Sequence, residues 1–231
     1  MKKLHYIQHI PYESPGSILS WAQENKLGVS STRLYDNENY PDLETIDCLV
    51  VMGGPMSAND EKDYPWLRNE KLFIEKVMKA DKVVVGICLG AQLVANVLGS
   101  KITRNQDKEI GWYPIKMTSE SRGAGPFKIF PDEFTVFHWH GETFDIPRGA
   151  IRIAESAGCA NQGFLYSGKV VGLQFHLEVT KESIEQMVAS GKNELKPEQF
   201  VQDGTQILSN TSFLEKNNEL IGKLLTQFKS S

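Results

Sequence analysis

The sequence holds only three cysteines, Cys48, Cys88 and Cys159. They are odd in number, far apart and contain no Cys-x-x-Cys pair, which argues against a disulfide framework or a cysteine-based zinc cluster and points to a reducing compartment, here the cytoplasm. Long apolar runs are missing as well. No segment approaches the roughly 18 residues a membrane span needs, and residues 1–10 pass straight into a strand pattern without a signal-type apolar core. Basic runs are absent, and 25 Lys+Arg against 29 Asp+Glu leave a net charge of -4, so neither nucleic acid nor a membrane is an expected partner. No Gly-rich loop ending in Lys-Ser/Thr occurs, so ATP-driven chemistry is not expected of this chain and no cofactor is called for. Without internal repeats, linkers or low-complexity segments, residues 1–231 read as a single domain in which 195–231 form a helical C-terminal extension.

What is present supports a sizeable core: 231 residues, of which 40% are hydrophobic and 23% charged. Strand and helix patterns alternate from the outset. Residues 4–10 and 29–35 read as strands, with a helix start at Ser14-Pro15-Gly16 between them, and 46–52 is a nearly continuous apolar run of the kind found in buried parallel strands. A helical pattern follows Pro65-Trp66, then a core strand over 82–86. Three strand-helix units in a row predict a central, mainly parallel sheet flanked by helices, with its cleft beyond the carboxyl ends of the strands. The second half is β-rich and partly antiparallel, with short strands expected at 110–118, 134–139, 151–155, 163–166 and 169–175 and a hairpin turn at Ser167-Gly168-Lys169. A helix over about 180–190 and a terminal helix or helix pair complete an α/β fold.

The chemistry concentrates at Gly86-Ile-Cys88-Leu-Gly90, where an apolar strand stops and a helical pattern begins. A cysteine at such an elbow stands clear of the sheet edge, and the helix N-terminus behind it favours a thiolate and a developing oxyanion. A buried cysteine is ordinarily a small hydrophobe, and that reading is applied to Cys48 and Cys159. Cys88 differs because His176-x-Glu178 follows at a strand end, which supplies a base and a carboxylate to orient it. His138 and His140, two apart on one strand face, invite a metal reading with Glu142 or Asp145. No third histidine stands at ligand spacing, so a strand end lining a pocket is preferred and no metal is assigned. His5 and His9 read as ordinary strand or loop residues.

These residues resemble the class I glutamine amidotransferases over nearly the whole chain. The resemblance is carried by Met52-Gly-Gly-Pro55, Gly86-Ile-Cys-Leu-Gly-Ala-Gln92 and Gly172-Leu-Gln-Phe-His-Leu-Glu178. Within that family the chain looks most like stand-alone proteins similar to the amidotransferase domain of GMP synthetase and like γ-glutamyl peptidases. His138-Trp-His140-Gly141 and Cys159-Ala-Asn-Gln162 with Phe164 carry this narrower match. The resemblance implies a flavodoxin-like three-layer fold and a Cys88-His176-Glu178 triad that cleaves glutamine or another γ-glutamyl compound through a thioester. It implies an oxyanion hole from the N–H groups of Gly54 and Leu89, and substrate contacts from Gln92, His140 and Gly141. Leu177 stands where the family usually has proline, which puts the rigidity of that turn in question while both functional side chains remain. The chain has no room for the synthetase domain of GMP synthetase. Three functions follow: a stand-alone hydrolase, a glutaminase subunit passing ammonia to a separate synthase partner, or a silent binding or regulatory module, any of them open to homo-oligomerisation.

Overall fold

The apolar runs of the first half lie side by side as parallel strands, because each is followed by a helix that returns the chain to the same end of the sheet. The computed structural model describes residues 1–229. Strands β1 (Lys3–Gln8), β2 (Gly28–Arg33), β3 (Cys48–Val51) and β4 (Val83–Ile87) alternate with helices α1 (Ser17–Glu24), α2 (Trp66–Lys79) and α3 (Leu89–Val97). The β-rich half adds β5 (Ile102–Met117), the short helix α4 (Ser119–Arg122), β6 (Glu133–Phe144), β7 (Ile151–Ser156), β8 (Gly163–Tyr166) and β9 (Val170–Leu173). Helices α5 (Lys181–Ser190), α6 (Gly204–Ser209) and α7 (Leu214–Lys229) follow. All nine strands form one sheet in the order β2-β1-β3-β4-β9-β8-β7-β5-β6. It is parallel from β2 through β9 and antiparallel from there to β6. The expected α/β architecture with its β-rich second half is what the chain adopts.

Strand β3 is buried on both faces, and its residues alternate between two cores. Cys48, Val50 and Met52 pack with α1 and α7, whereas Leu49 and Val51 pack with α2 and α3. The helices thus cover both sides of the parallel half, which explains the unbroken apolar run. Among the described residues no helix is long and apolar enough to cross a membrane.

Several boundaries differ from expectation. Strand β5 begins at Ile102 rather than at 110, and a register shift between Arg104 and Glu109 breaks the alternation that would have marked it. Strand β6 continues to Phe144, past the expected end at 139. Strand β9 stops at Leu173, so His176 sits beyond it, tied back by its N–H to the Phe137 carbonyl (2.8 Å). Helix α5 starts where expected, capped by Thr180, whose side chain accepts from the Ser183 N–H.

The extension at 195–231, whose last two residues lie outside the described residues, is not helical throughout. Residues 200–202 pair with Ile110 of β5 instead, through Ile110 N–H to the Phe200 carbonyl and Gln202 N–H to the Ile110 carbonyl, both 2.9 Å. Nor is α7 an appendage: Ile221, Leu224 and Leu225 are fully buried in the core that holds Ile18 and Val50. Its Asn218 amide donates to the carbonyls of Leu177 (2.8 Å) and Val179 (3.0 Å), clamping the segment around Glu178. Leu224→Ala is therefore expected to cost about 2–5 kcal/mol of stability, read as a lowered urea midpoint at unchanged slope.

Candidate functional site

Four adjacent parallel strands, β1, β3, β4 and β9, end at one edge of the sheet, and the loops leaving them meet there. Cys88 occupies the turn between β4 and α3 with φ 51° and ψ −109°, a conformation that costs a non-glycine residue roughly 1–3 kcal/mol and persists where its surroundings enforce it. They do so here. A β-carbon on Gly90 would run into the Val51 carbonyl, so only glycine lets α3 start this close to the sheet. The Cys88 N–H is held by the Leu173 carbonyl at 2.8 Å.

The cleft above this turn encloses about 390 Å³. The Cys88 thiol lies 3.6 Å from the Trp139 carbonyl and 3.7 Å from the Gln174 amide nitrogen. His176 Nδ1 is 2.7 Å from Glu178 Oε1; the carboxylate only accepts, so Nδ1 carries the hydrogen and Nε2 is left toward the thiol. Nε2 has no well-aligned partner of its own, and Cys88 is within electrostatic reach of the ring. The other Glu178 oxygen accepts from the Leu177 N–H at 3.0 Å. A proline at 177 would lack that donor, so the departure at this position adds a hydrogen bond to the carboxylate.

Gly54, Leu89, Gln92 and Gly141 all line the same cleft as Cys88. The Gln92 amide donates to Gln174 Oε1 (3.2 Å) and approaches the Glu142 carbonyl (3.5 Å). His140 also borders the cleft, but its ring is turned to protein partners: Nδ1 to the Glu142 carbonyl and Nε2 to Glu109 Oε2, both 3.1 Å. Every residue singled out at Gly54, Cys88, Leu89, Gln92, His140, Gly141, His176 and Glu178 is thus brought to one place.

A family pattern described as glutamine amidotransferase class-I matches residues 18–192. The chain belongs to this family. It is 35% identical over 197 residues to the glutamine amidotransferase-like protein YfeJ of Salmonella typhimurium, covering 84% of this chain and 82% of that protein. Identity to the glutamine-hydrolyzing GMP synthase subunit of Saccharolobus solfataricus is 32% over 163 residues, 69% of this chain and 82% of that one. In three dimensions the chain superposes on a glutamine amidotransferase from Thermotoga maritima with a TM-score of 0.90 at 34% identity, over 100% of this chain and 99% of that one.

The amidotransferase cleft also uses residues that carry no signal in the sequence. His9, in pattern an ordinary strand or loop residue, is fully enclosed: Nδ1 lies 2.9 Å from the Gly53 carbonyl and Nε2 2.9 Å from Glu70 Oε1. It braces the glycine pair beside Cys88. The carboxylate beside the His138-His140 pair is Glu109, whereas the Glu142 carboxylate accepts from Ser57 Oγ at 3.0 Å. Glu109, His138 and His140 have ligand atoms within 4.8 Å of one another and are the group that could meet one ion, yet Glu109 already accepts from Ser156 Oγ and Gln162 Nε2, both at 2.6 Å. These bonds make it an anchor for the strand that carries Trp139 and Gly141. Glu13, in the loop after β1, lines the cleft as well. The Pro11-Tyr-Glu-Ser-Pro15 loop follows a parallel strand at its carboxyl end, which is the one feature that could have marked it.

Burial dominates the electrostatics. It pushes the Cys88 thiol up, against the pull of His176 and the Leu89 N–H. Burial alone would push the His176 imidazole down, but Glu178 and Cys88 together outweigh it and hold the ring well above the ordinary histidine value. Burial would likewise raise the Glu109 carboxyl, but His140, His138 and Ser156 hold it at about 2. Because Glu178 raises the ring's affinity for its proton, Glu178→Gln is expected to move the His176 titration to lower pH. NMR of the imidazole Cε1–H across pH checks this, and an unmoved midpoint contradicts it.

Proposed function

We propose that the chain hydrolyses the γ-amide of glutamine or another γ-glutamyl compound through a γ-glutamyl thioester on Cys88. The observation that carries this reading is the buried Cys88, set against an imidazole whose far nitrogen is fixed by Glu178 at 2.7 Å. The thiol passes its proton to His176 Nε2, and the sulfur attacks the amide carbonyl. Negative charge develops on the carbonyl oxygen, where the N–H groups of Gly54 and Leu89 would receive it. His176 then protonates the departing nitrogen as the carbon–nitrogen bond breaks. In the second half it takes a proton from water, which attacks the thioester and restores the thiol. Glu178 keeps the ring in the required tautomer and stabilises its charge throughout.

The lining of the cleft also suits the α-carbon end of the substrate. It includes Gln92 and Gly141 with Arg104 and Glu142, one cation and one anion, which matches an α-carboxylate and an α-ammonium group.

A second reading, a glutaminase subunit serving a separate synthase, is favoured by the likeness to the glutamine-hydrolyzing GMP synthase subunit. Against it, the exposed large apolar side chains among the described residues, Val29, Tyr35, Leu72, Ile129 and Leu208, do not line the cleft. The cleft lining mixes the charged Asp60, Arg104, Lys108 and Glu194 with Tyr12, Pro55, Met56 and Trp139, so the surface around Cys88 is not the broad apolar patch expected of a docked subunit.

Purified protein given glutamine or a γ-glutamyl peptide is expected to release glutamate and to show a glutamyl adduct on Cys88 by mass spectrometry. Cys88→Ala should lower turnover at least about a thousandfold. Absence of both glutamate and adduct would reject the hydrolase, and glutamate release only in the presence of a second protein would favour the docked form.

A further inference from the structure

The proposed chemistry leaves one charged group in the cleft unused. Glu13 lines the same cleft as Cys88, Gln92, Arg104 and Glu142. A β-carbon on Gly53 would run into Glu13 Oε2 and would stand 3.3 Å from His176 Cε1. The carboxyl therefore lies over Gly53, near Cε1 of the His176 imidazole, the carbon between its two nitrogens. No hydrogen bond or ion pair is found for this side chain among the described residues, although His9, Glu70, Glu109 and Glu178 all have theirs. Nearby, Glu194 is engaged by the Trp139 indole N–H (3.2 Å) and by Lys108 (3.3 Å). A carboxyl that lines the cleft with no protein partner is free to meet the charged part of a bound ligand.

His176 must face the bond that breaks, so the amine leaves on its side of the cleft. Resting on the reading that Cys88 is acylated by γ-glutamyl amides, we propose that Glu13 is the leaving-group residue: its carboxylate faces the departing nitrogen and selects amines that carry no carboxylate beside it. In the step concerned, the bond from Cys88 sulfur to the γ-carbonyl carbon has formed. His176 Nε2 gives its proton to the amide nitrogen, and the electron pair of the carbon–nitrogen bond leaves with that nitrogen. The nitrogen carries positive charge while the bond breaks and again once the free amine has taken a proton from water. Glu13 attracts it at both stages. A leaving amino acid brings its own carboxylate to the same spot, where like charges in a cavity of low dielectric repel. The favoured substrates are thus glutamine and γ-glutamyl amides of simple amines, with γ-glutamyl dipeptides disfavoured.

Burial raises the Glu13 carboxyl to about 7, with His176 and His9 pulling it down and Glu178 and Glu194 pushing it up. Cys88 and Tyr12 also feel its charge. The discrimination is therefore present when Glu13 is ionised, above that value, and fades as pH falls through it. Competition between two substrates in one vessel cancels the ionisations they share, those of Cys88, His176, His9, Tyr12, Glu178 and Glu194 included, provided the two meet the same enzyme form.

The test is competition between γ-glutamyl ethylamide and γ-glutamylglycine for the full chain, followed by product analysis. At about pH 8 the ethylamide should be favoured at least about tenfold in kcat/KM, with the ratio falling several-fold by about pH 6. Glu13→Gln should remove both the preference and its pH dependence. A wild-type ratio that favours γ-glutamylglycine or stays flat with pH overturns the proposal without any variant, as does a Gln variant that keeps the wild-type ratio. If neither amide acylates Cys88, the hydrolase reading falls and this one with it; if both do so and the ratio is flat, only the role of Glu13 falls.

Discussion

The contact on which the cleft depends is the approach of α3 to the sheet, where Gly90 lies against the Val51 carbonyl with no room for a β-carbon. That close approach accompanies the positive φ of the turn at Cys88, and Cys88 and Leu89, the first residue of α3, line the same cleft. Larger residues at 90 would lift the helix, and the thiol would lose its place beside His176 and Gly54. The rest of the site is built around this fixed point from loops that leave the neighbouring strands.

Those loops are held by buried polar contacts rather than by packing alone. His9 joins Glu70 of α2 to the carbonyl of Gly53, so the glycine pair beside Cys88 is tied to a helix on one face of the sheet. Asn218 of α7 ties the Leu177 and Val179 carbonyls to the other face. Glu109 anchors the β6 segment that passes Trp139 over the thiol. The cleft is consequently preorganised from both faces, which is what charge development in a water-poor site requires.

Much of this is legible in the sequence. The apolar run before Cys88, the glycines around it and the His-x-Glu pair are enough to single out Cys88, His176 and Glu178 as the candidate site, because each depends on residue type at short spacing. Helix α5 can be read from its Thr180 cap for the same reason. The long β5 cannot: the register shift near Glu109 removes the alternation by which a strand is recognised. The extension reads as wholly helical because its apolar spacing does not tell a helix from a segment that pairs with Ile110.

The sequence by itself determined the alternation of strands and helices in the first half, the elbow at Cys88 and the family likeness. Only the tertiary structure decided which side chains share the buried space around them. In pattern, His9 is like any strand residue and Glu13 like any loop acid, since burial and neighbours set what such groups do. A carboxylate acquires its function here from what surrounds it: Glu178 is fixed by two hydrogen bonds, Glu109 by several, and Glu13, among the described residues, by none. That difference arises from segments more than a hundred residues apart meeting at one sheet edge, a distance no motif spans.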